Sequence, residues 1–271
     1  MSSTILITGA ASGIGKATAA LAAARGHRVI RADLHDGDIT ADLSHAEGRA
    51  ALAAQAGSIA PGGIDAVITC AGLLTSDLTS ASLNYFGTVD VLERLQPLLL
   101  KSAAPRAVLV SSRMAYSGAD DSALVEFYLA GNEGGARARA GDLMARAAAQ
   151  QESRLVDQRT PLGIYASSKV ALARWTRRAA VNPRWGGSGI IVNAVAPGFI
   201  ETEAGRALRE HPVRSQVVRD AHPEVLGRYG RPDEVAELML WLASPANSLM
   251  LGQVLFIDGG TEVLERGDAC W

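Results

Sequence analysis

Short apolar runs recur along the chain and alternate with longer stretches of helical periodicity. The runs Thr4–Thr8 (TILIT), Arg28–Ala32 (RVIRA), Ile64–Cys70 (IDAVITC), Ala107–Ser111 (AVLVS), Ile190–Val195 (IIVNAV) and Val254–Ile257 (VLFI) are too short for helices. They predict strands, and because most are continuously apolar rather than alternating, strands buried on both faces. Between most of them lie helical patterns at Ala46–Ala56, Ala81–Leu100, Leu162–Val181 and Asp233–Ala243, the last with Pro232 where a helix start tolerates it. Strands alternating with helices imply a mostly parallel sheet covered on both sides.

Two places break the rhythm. From Leu34 to Ala41 there are too few residues for a crossover helix, which takes about a dozen, so the second helix is expected to be missing and the third strand stunted. Ser117 to Thr160 carries two short helical patterns split by Gly131, Gly134 and Gly135, with no strand-like run, and reads as a helical insertion. In its second half Arg137, Arg139, Asp142, Arg146, Gln150 and Glu152 offer polar surface, and Leu143, Met144, Ala147 and Leu155 an apolar stripe. No repeat or linker interrupts the chain, so residues 1–271 are read as one domain.

Composition narrows the class. An apolar fraction of 48% supplies a two-sided core, and 26 basic against 28 acidic residues leave a net charge of -2, with no basic stripe for nucleic acid. Arg174, Arg177 and Arg178 around Trp175 read as the outer face of a helix. Cys70 and Cys270 show no disulfide or metal spacing, nor do His27, His35, His45, His211 and His222, so no metal is expected. With no leader-like or membrane-length apolar segment, a cytoplasmic protein is expected.

The first strand runs into Thr8-Gly9-Ala10-Ala11-Ser12-Gly13-Ile14-Gly15 and then a helix, the setting of a phosphate cradle: glycines admit the backbone to a pyrophosphate, and the helix N-terminus favours its charge. The fold class is thus α/β, a single Rossmann-type doubly wound parallel sheet with a helical insertion before Tyr165. Asp33 ends the second strand where a carboxylate can accept from the ribose hydroxyls and repel a 2′-phosphate. Leu34 follows it and Ser12 precedes Gly13, so no basic group stands ready for that phosphate, and NAD (NADH) is expected over NADP. Tyr165-Ala166-Ser167-Ser168-Lys169 puts a phenol and an ammonium on one helix face, where the charge can bring the phenol toward acid/base work. Only three of the 26 basic residues are lysines, which makes Lys169 in that motif the more telling.

Taken together, TGAASGIG at Thr8–Gly15, Asp33, Asp42-Leu43, Cys70-Ala71-Gly72, Asn84, Ser111-Ser112, Tyr165 to Lys169, Pro197-Gly198 with Thr202, and Asp258-Gly259-Gly260 resemble the classical short-chain dehydrogenase/reductase family from Thr4 to Gly260. The resemblance implies Tyr165 as acid/base, Lys169 lowering its pKa and holding the nicotinamide ribose, Ser112 (with Ser111 as the alternative) orienting the substrate oxygen, and Asn84 anchoring a relay water. It also implies that Gly9, Ser12, Gly13, Ile14 and Gly15 cradle the pyrophosphate, that Asp33 and Leu34 meet the adenosine ribose, and that Asp42 and Leu43 flank the adenine. Cys70, Ala71 and Gly72 would line the groove, and Pro197, Gly198, Ile200 and Thr202 the carboxamide side. Cys70 stands where the family usually has Asn, which removes that side chain's hydrogen bonds to neighbouring strands.

The insertion, the short second crossover, ADLSHAEGR at Ala41–Arg49 and Asn84-Tyr85-Phe86-Gly87 narrow the resemblance to the branch holding bacterial 3α-hydroxysteroid dehydrogenase/carbonyl reductases and coniferyl-alcohol dehydrogenases. The expected function is NAD-dependent interconversion of a secondary alcohol and a ketone on a small apolar substrate (hydroxysteroid, aryl or alicyclic). Met114, Phe199, Leu208 and Val213 are candidates for the substrate pocket or for plain core. The alternatives are a primary aryl-alcohol dehydrogenase or an NAD-binding sensor without turnover, and the intact Asn84, Ser112, Tyr165 and Lys169 set argues against the sensor. The insertion is expected to wall the substrate pocket and shift the subunit interface, giving a homo-oligomer, a dimer rather than a tetramer.

Overall fold

The computed structural model describes residues 2–75, 77–152, 159–211, 214–221 and 223–268. β1 (Thr4–Thr8) leads into α1 (Gly13–Ala24), and β2 (Arg28–Asp33) is followed by β3 (Ile39–Thr40) and α2 (Ala46–Ile59). β4 (Ala66–Thr69) precedes α3 (Leu78–Leu83) and α4 (Phe86–Leu99). After β5 (Arg106–Val110) come a 3-10 turn at Arg113–Tyr116, α5 (Ser122–Leu129), α6 (Glu133–Glu152) and α7 (Arg159–Ala180). β6 (Ile191–Pro197) precedes α8 (Glu203–Glu210), α9 (Arg214–Ala221) and α10 (Pro232–Leu242), and β7 (Val254–Ile257) precedes α11 (Thr261–Arg266).

The strands form one seven-stranded parallel sheet in the order β3-β2-β1-β4-β5-β6-β7. Side chains alternate across it into two core layers. Leu6, Ile30, Val67, Ala107 and Leu109 face α2, α4 and α7, while Ile5, Ile7, Ala66, Ile68 and Val108 pack with Ala19 and Ala22 of α1 and Val235 and Met239 of α10. Continuous apolar strands are what burial on both faces requires. No helix joins β2 to β3, and β3 is only two residues long, as the short connection implied.

The sequence pattern differs from the structure in three respects. The helix expected over Ala81–Leu100 is two helices, because the chain breaks at Asn84 and Tyr85; Ala81, Tyr85 and Val89 stay buried across the break, so periodicity does not reveal it. α8, α9 and α11 are short and largely polar and were not expected. On α6, the residues facing the core are Ala136, Ala140 and Leu143, whereas Met144 is exposed; Leu155 lies outside the described residues, as do Val213, His222 and Cys270. Small alanines on that face let α6 approach closely, and its expected polar residues dock it instead: Arg137 donates to the Leu78 carbonyl (3.0 Å) and the Ser82 hydroxyl (2.9 Å) of α3, and Arg139 binds Asp121 (2.6 Å).

A buried Arg49 draws the same region together, with Asp90 of α4 at 2.8 Å, Glu133 of α6 at 2.6 Å and the Leu43 carbonyl at 3.2 Å. Tyr128 of α5 is fully buried against the rings of Tyr85 and Phe86, and its hydroxyl has no hydrogen-bond partner among the described residues. An unpaired buried hydroxyl costs about 1–3 kcal/mol, so Tyr128→Phe keeps the ring packing and sheds that cost. Thermal or urea unfolding should show Tyr128→Phe as stable as the parent or more so, by up to about 1 kcal/mol; a loss of about 1 kcal/mol would mean that the hydroxyl is bonded.

Candidate active site

Every expected site segment sits at the carboxyl edge of the sheet. Beyond β1, Gly9 and Gly13 have φ of +67° and +52°, a region that disfavours side chains, and a Cβ on Gly9 would lie 2.7 Å from the Ala71 amide nitrogen. A Cβ on Gly15 would meet the Gly9 carbonyl oxygen at 2.1 Å. At its glycines the turn therefore has no room for side chains. Ser12 caps α1 without using its side chain, leaving the first-turn amides free of any side-chain cap.

At the end of β2, Asp33 accepts from the Ala11 amide (3.0 Å) and the His35 amide (3.3 Å), so its carboxylate braces the glycine turn as well as standing beside it. Leu34 is half exposed next to it. Asp42 accepts from the Ser44 hydroxyl (2.6 Å) and amide (2.9 Å), and the hydroxyl bond holds its pKa below the usual carboxylate value. Leu43 is buried in the core layer.

Beyond β4, Cys70 and Ala71 pair with Thr8, through its carbonyl (3.2 Å) and hydroxyl (3.2 Å). Burial pushes the Cys70 thiol up to about 12, opposed by the Lys169 charge; it is a protonated wall of the groove. Gly72 sits where a Cβ would be 3.2 Å from Asn84 Oδ1 and 3.9 Å from Lys169 Nζ. Asn84 holds the backbone of Leu73 from both sides, accepting from its amide (2.8 Å) and donating to its carbonyl (2.9 Å).

The two serines after β5 separate cleanly. Ser111 is buried and donates to the Lys169 carbonyl (2.9 Å), which fastens α7 to the sheet. Ser112 caps the following turn by accepting from the Met114 amide (3.2 Å), and its hydroxyl is near enough to the Tyr165 phenol to pull its pKa down. Of the pair, Ser112 is the one whose hydroxyl meets the phenol. Lys169 donates to the Val110 carbonyl (2.8 Å), with its ammonium 5.4 Å from the Tyr165 ring centroid. Burial depresses Lys169 to about 8. Tyr165 is held above the ordinary phenol value by burial, with the Ser112 hydrogen bond pulling the other way. Ser112 is the group that opposes the burial of the phenol, and the Lys169 ammonium beside the ring is anchored on the Val110 carbonyl.

On the far side, Gly198 approaches Asp258 so closely that a Cβ would lie 2.7 Å from the Asp258 Cβ. Thr202 caps α8 by accepting from the Gly205 amide (3.0 Å), and its methyl lies 3.2 Å from a Cβ placed on Gly13. Ile200 is buried and bridges to Gly230. Pro197 closes β6. The glycine turn and the segment after β6 thus meet across the groove. Met114 is buried beside Ser112, Phe199 stacks on Tyr229 at 4.5 Å, and Leu73 and Leu74 are exposed. Sequence reasoning missed the Val110 carbonyl, the Leu73 backbone and the ion pair between Arg113 and Glu265 (2.7 Å); the first two are backbone groups with no sequence signal, and the third joins residues far apart in the chain.

A glycine turn at a helix N-terminus, a carboxylate at the end of β2 and a Ser-Tyr-Lys cluster define a dinucleotide-dependent α/β oxidoreductase site. The chain belongs to the short-chain dehydrogenase/reductase family: residues 3–130 match the short chain dehydrogenase profile, and residues 136–262 the enoyl-(acyl carrier protein) reductase profile. It is 35% identical over 97% of its length to 98% of the 3-alpha-hydroxysteroid dehydrogenase/carbonyl reductase of Comamonas testosteroni. It is also 32% identical, over 94% of each chain, to the cis-4-hydroxycyclohexanecarboxylate dehydrogenase of Sinomonas cyclohexanicum. The solved 3-alpha-hydroxysteroid dehydrogenase of Pseudomonas sp. B-0831, complexed with NADH, superposes with a TM-score of 0.84 at 36% identity, covering 98% of this chain and 99% of that one. The protein is an oxidoreductase of a family that uses a nicotinamide cofactor, and its glycine turn and groove fit one. Among the described residues, no helix is long and apolar enough to cross a membrane.

Proposed function

We propose that the protein interconverts a cyclic or aryl ketone and its secondary alcohol with NAD(H), using Tyr165 as the acid/base. The observation that carries this reading is the grouping of the Ser112 hydroxyl, the Tyr165 phenol and the Lys169 ammonium, the last 5.4 Å from the phenol ring centroid. When bound, the nicotinamide supplies hydride in reduction and accepts it in oxidation. Because burial keeps the phenol protonated at neutral pH, Tyr165 is poised to give its proton to a carbonyl oxygen, which Ser112 holds by its hydroxyl. The phenolate left behind is favoured by the nearby Lys169 charge. Asn84, facing Gly72 and Lys169, stands where a water could return a proton from solvent.

Gly9, Ser12, Gly13, Ile14 and Gly15 would take the pyrophosphate and Asp33 the ribose hydroxyls, with Pro197, Gly198, Ile200 and Thr202 on the carboxamide side. A carboxylate facing a 2′-phosphate loses the ribose bonds and adds repulsion; NAD is the cofactor this arrangement favours. Cyclic secondary alcohols are supported by the names of the hydroxysteroid and hydroxycyclohexanecarboxylate relatives and by apolar Met114, Leu73 and Leu74 near the cluster.

The experiment is NADH oxidation against steroid, aryl and alicyclic ketones. At least one cyclic ketone should be reduced, with kcat/KM for NADH above that for NADPH by about tenfold or more. Ketone reduction should hold through neutrality and fall as pH rises past about 8, where Lys169 gives up its charge. Inactivity on every ketone, equal use of the two cofactors, or a rate flat to well above that pH would each contradict the part of the reading it addresses.

The same reading makes the chain a homodimer. α5 covers the start of α4 through Tyr128 on Tyr85 and Phe86, and α6 is tied to α2 through Glu133 on Arg49, closing a helical face that a larger assembly could otherwise use. Sedimentation equilibrium should give twice the 28.2 kDa chain mass; a tetramer would overturn this.

A further inference from the structure

Resting on the oxidoreductase reading, we infer that Arg113 and Glu265 form a positioning clamp, by which the C-terminal helix α11 sets the catalytic Ser112 turn against the segment after β6. Arg113 follows Ser112 directly. It lies in the 3-10 turn that Ser112 caps, and its side chain is 4% exposed, so its charge must be answered inside the protein. Its Nη1 donates to both carboxylate oxygens of Glu265, at 2.7 and 2.8 Å.

The same turn is held at its other end. Tyr116 stacks on Phe256 of β7 (5.0 Å) and lies under the Arg266 guanidinium (4.7 Å). α11 is in turn fixed where it leaves the sheet: Asp258 accepts from the Gly260 (3.0 Å) and Glu262 (2.7 Å) amides and packs on Gly198. The helix therefore spans the nicotinamide end of the groove. One end rests on the Pro197–Thr202 segment, and the other grips the turn that carries the serine. A shift of that turn moves the Ser112 hydroxyl relative to Tyr165, and small displacements of a positioned group are costly to turnover. Arg113 and Glu265 touch no reacting atom; they act through Ser112.

Glu265 is 42% exposed, so Glu265→Ala removes no core packing and takes only the carboxylate partner from Arg113. With a ketone that the parent reduces, kcat should fall about tenfold while KM for NADH stays within about twofold. Amide exchange in the 112–117 turn should quicken as its brace is lost. Arg113→Met should lose at least as much, and Arg113→Met combined with Glu265→Ala no more than Arg113→Met alone, as for two groups acting as one. Should Arg113→Met not fold, Glu265→Ala alone decides. Parent-like kcat in Glu265→Ala, or faster exchange without any loss of kcat, overturns the positioning role alone; a parent inactive on every ketone overturns the oxidoreductase reading and the role with it.

Discussion

The order of the strands is the constraint on which the site depends. From β1 the chain moves outward to β2 and β3, then returns across the sheet to β4 and moves outward the other way to β7. The connections leaving the carboxyl ends of β1 and β4 therefore part, and a crevice opens between them. The glycine turn after β1 and Cys70 to Gly72 after β4 line that crevice. Because all the strands are parallel, Asp33, Asp42, Ser112, Pro197 and Asp258 emerge at the same edge. A groove with chemistry at one end follows from topology before any side chain is chosen.

The chemistry is then a matter of burial balanced by hydrogen bonds. Tyr165 and Lys169 are both pushed toward their neutral forms by the surrounding protein, to a raised phenol and an ammonium lowered to about 8. Ser112 opposes that push on the phenol. In the proposed reaction such a site starts with the proton on Tyr165, the state needed to donate to a carbonyl, and turns on the seat of one serine. Ser111, bonded to the Lys169 backbone, and the turn after Ser112, clamped to α11, both serve that seat.

The fold was legible where burial leaves a pattern. Thr4–Thr8 and Val254–Ile257 are strands to the residue because both faces of the sheet demand apolar side chains there. The shortness of Leu34 to Ala41 showed the missing helix by simple reach. What could not be read was conformation that periodicity ignores: the break at Asn84, where buried positions continue across two helices, and α6, whose contact face is largely alanine and whose Arg137 and Arg139 turn inward to dock. At the site, residue types within one motif were legible, but not how Tyr165 and Lys169 divide their partners. The Lys169 bond goes to the Val110 carbonyl and Arg113 pairs with Glu265 from the other end of the chain, and neither leaves a mark in local sequence.

The proposed chemistry turns most directly on the Tyr165 proton. Tyr165→Phe removes one oxygen and preserves the ring, so the measurement is kcat for ketone reduction beside the Kd for NADH in the same variant. In this variant kcat should fall about 10³-fold or more while the Kd stays close to that of the parent. A variant that keeps most of the parent's kcat would contradict that chemistry.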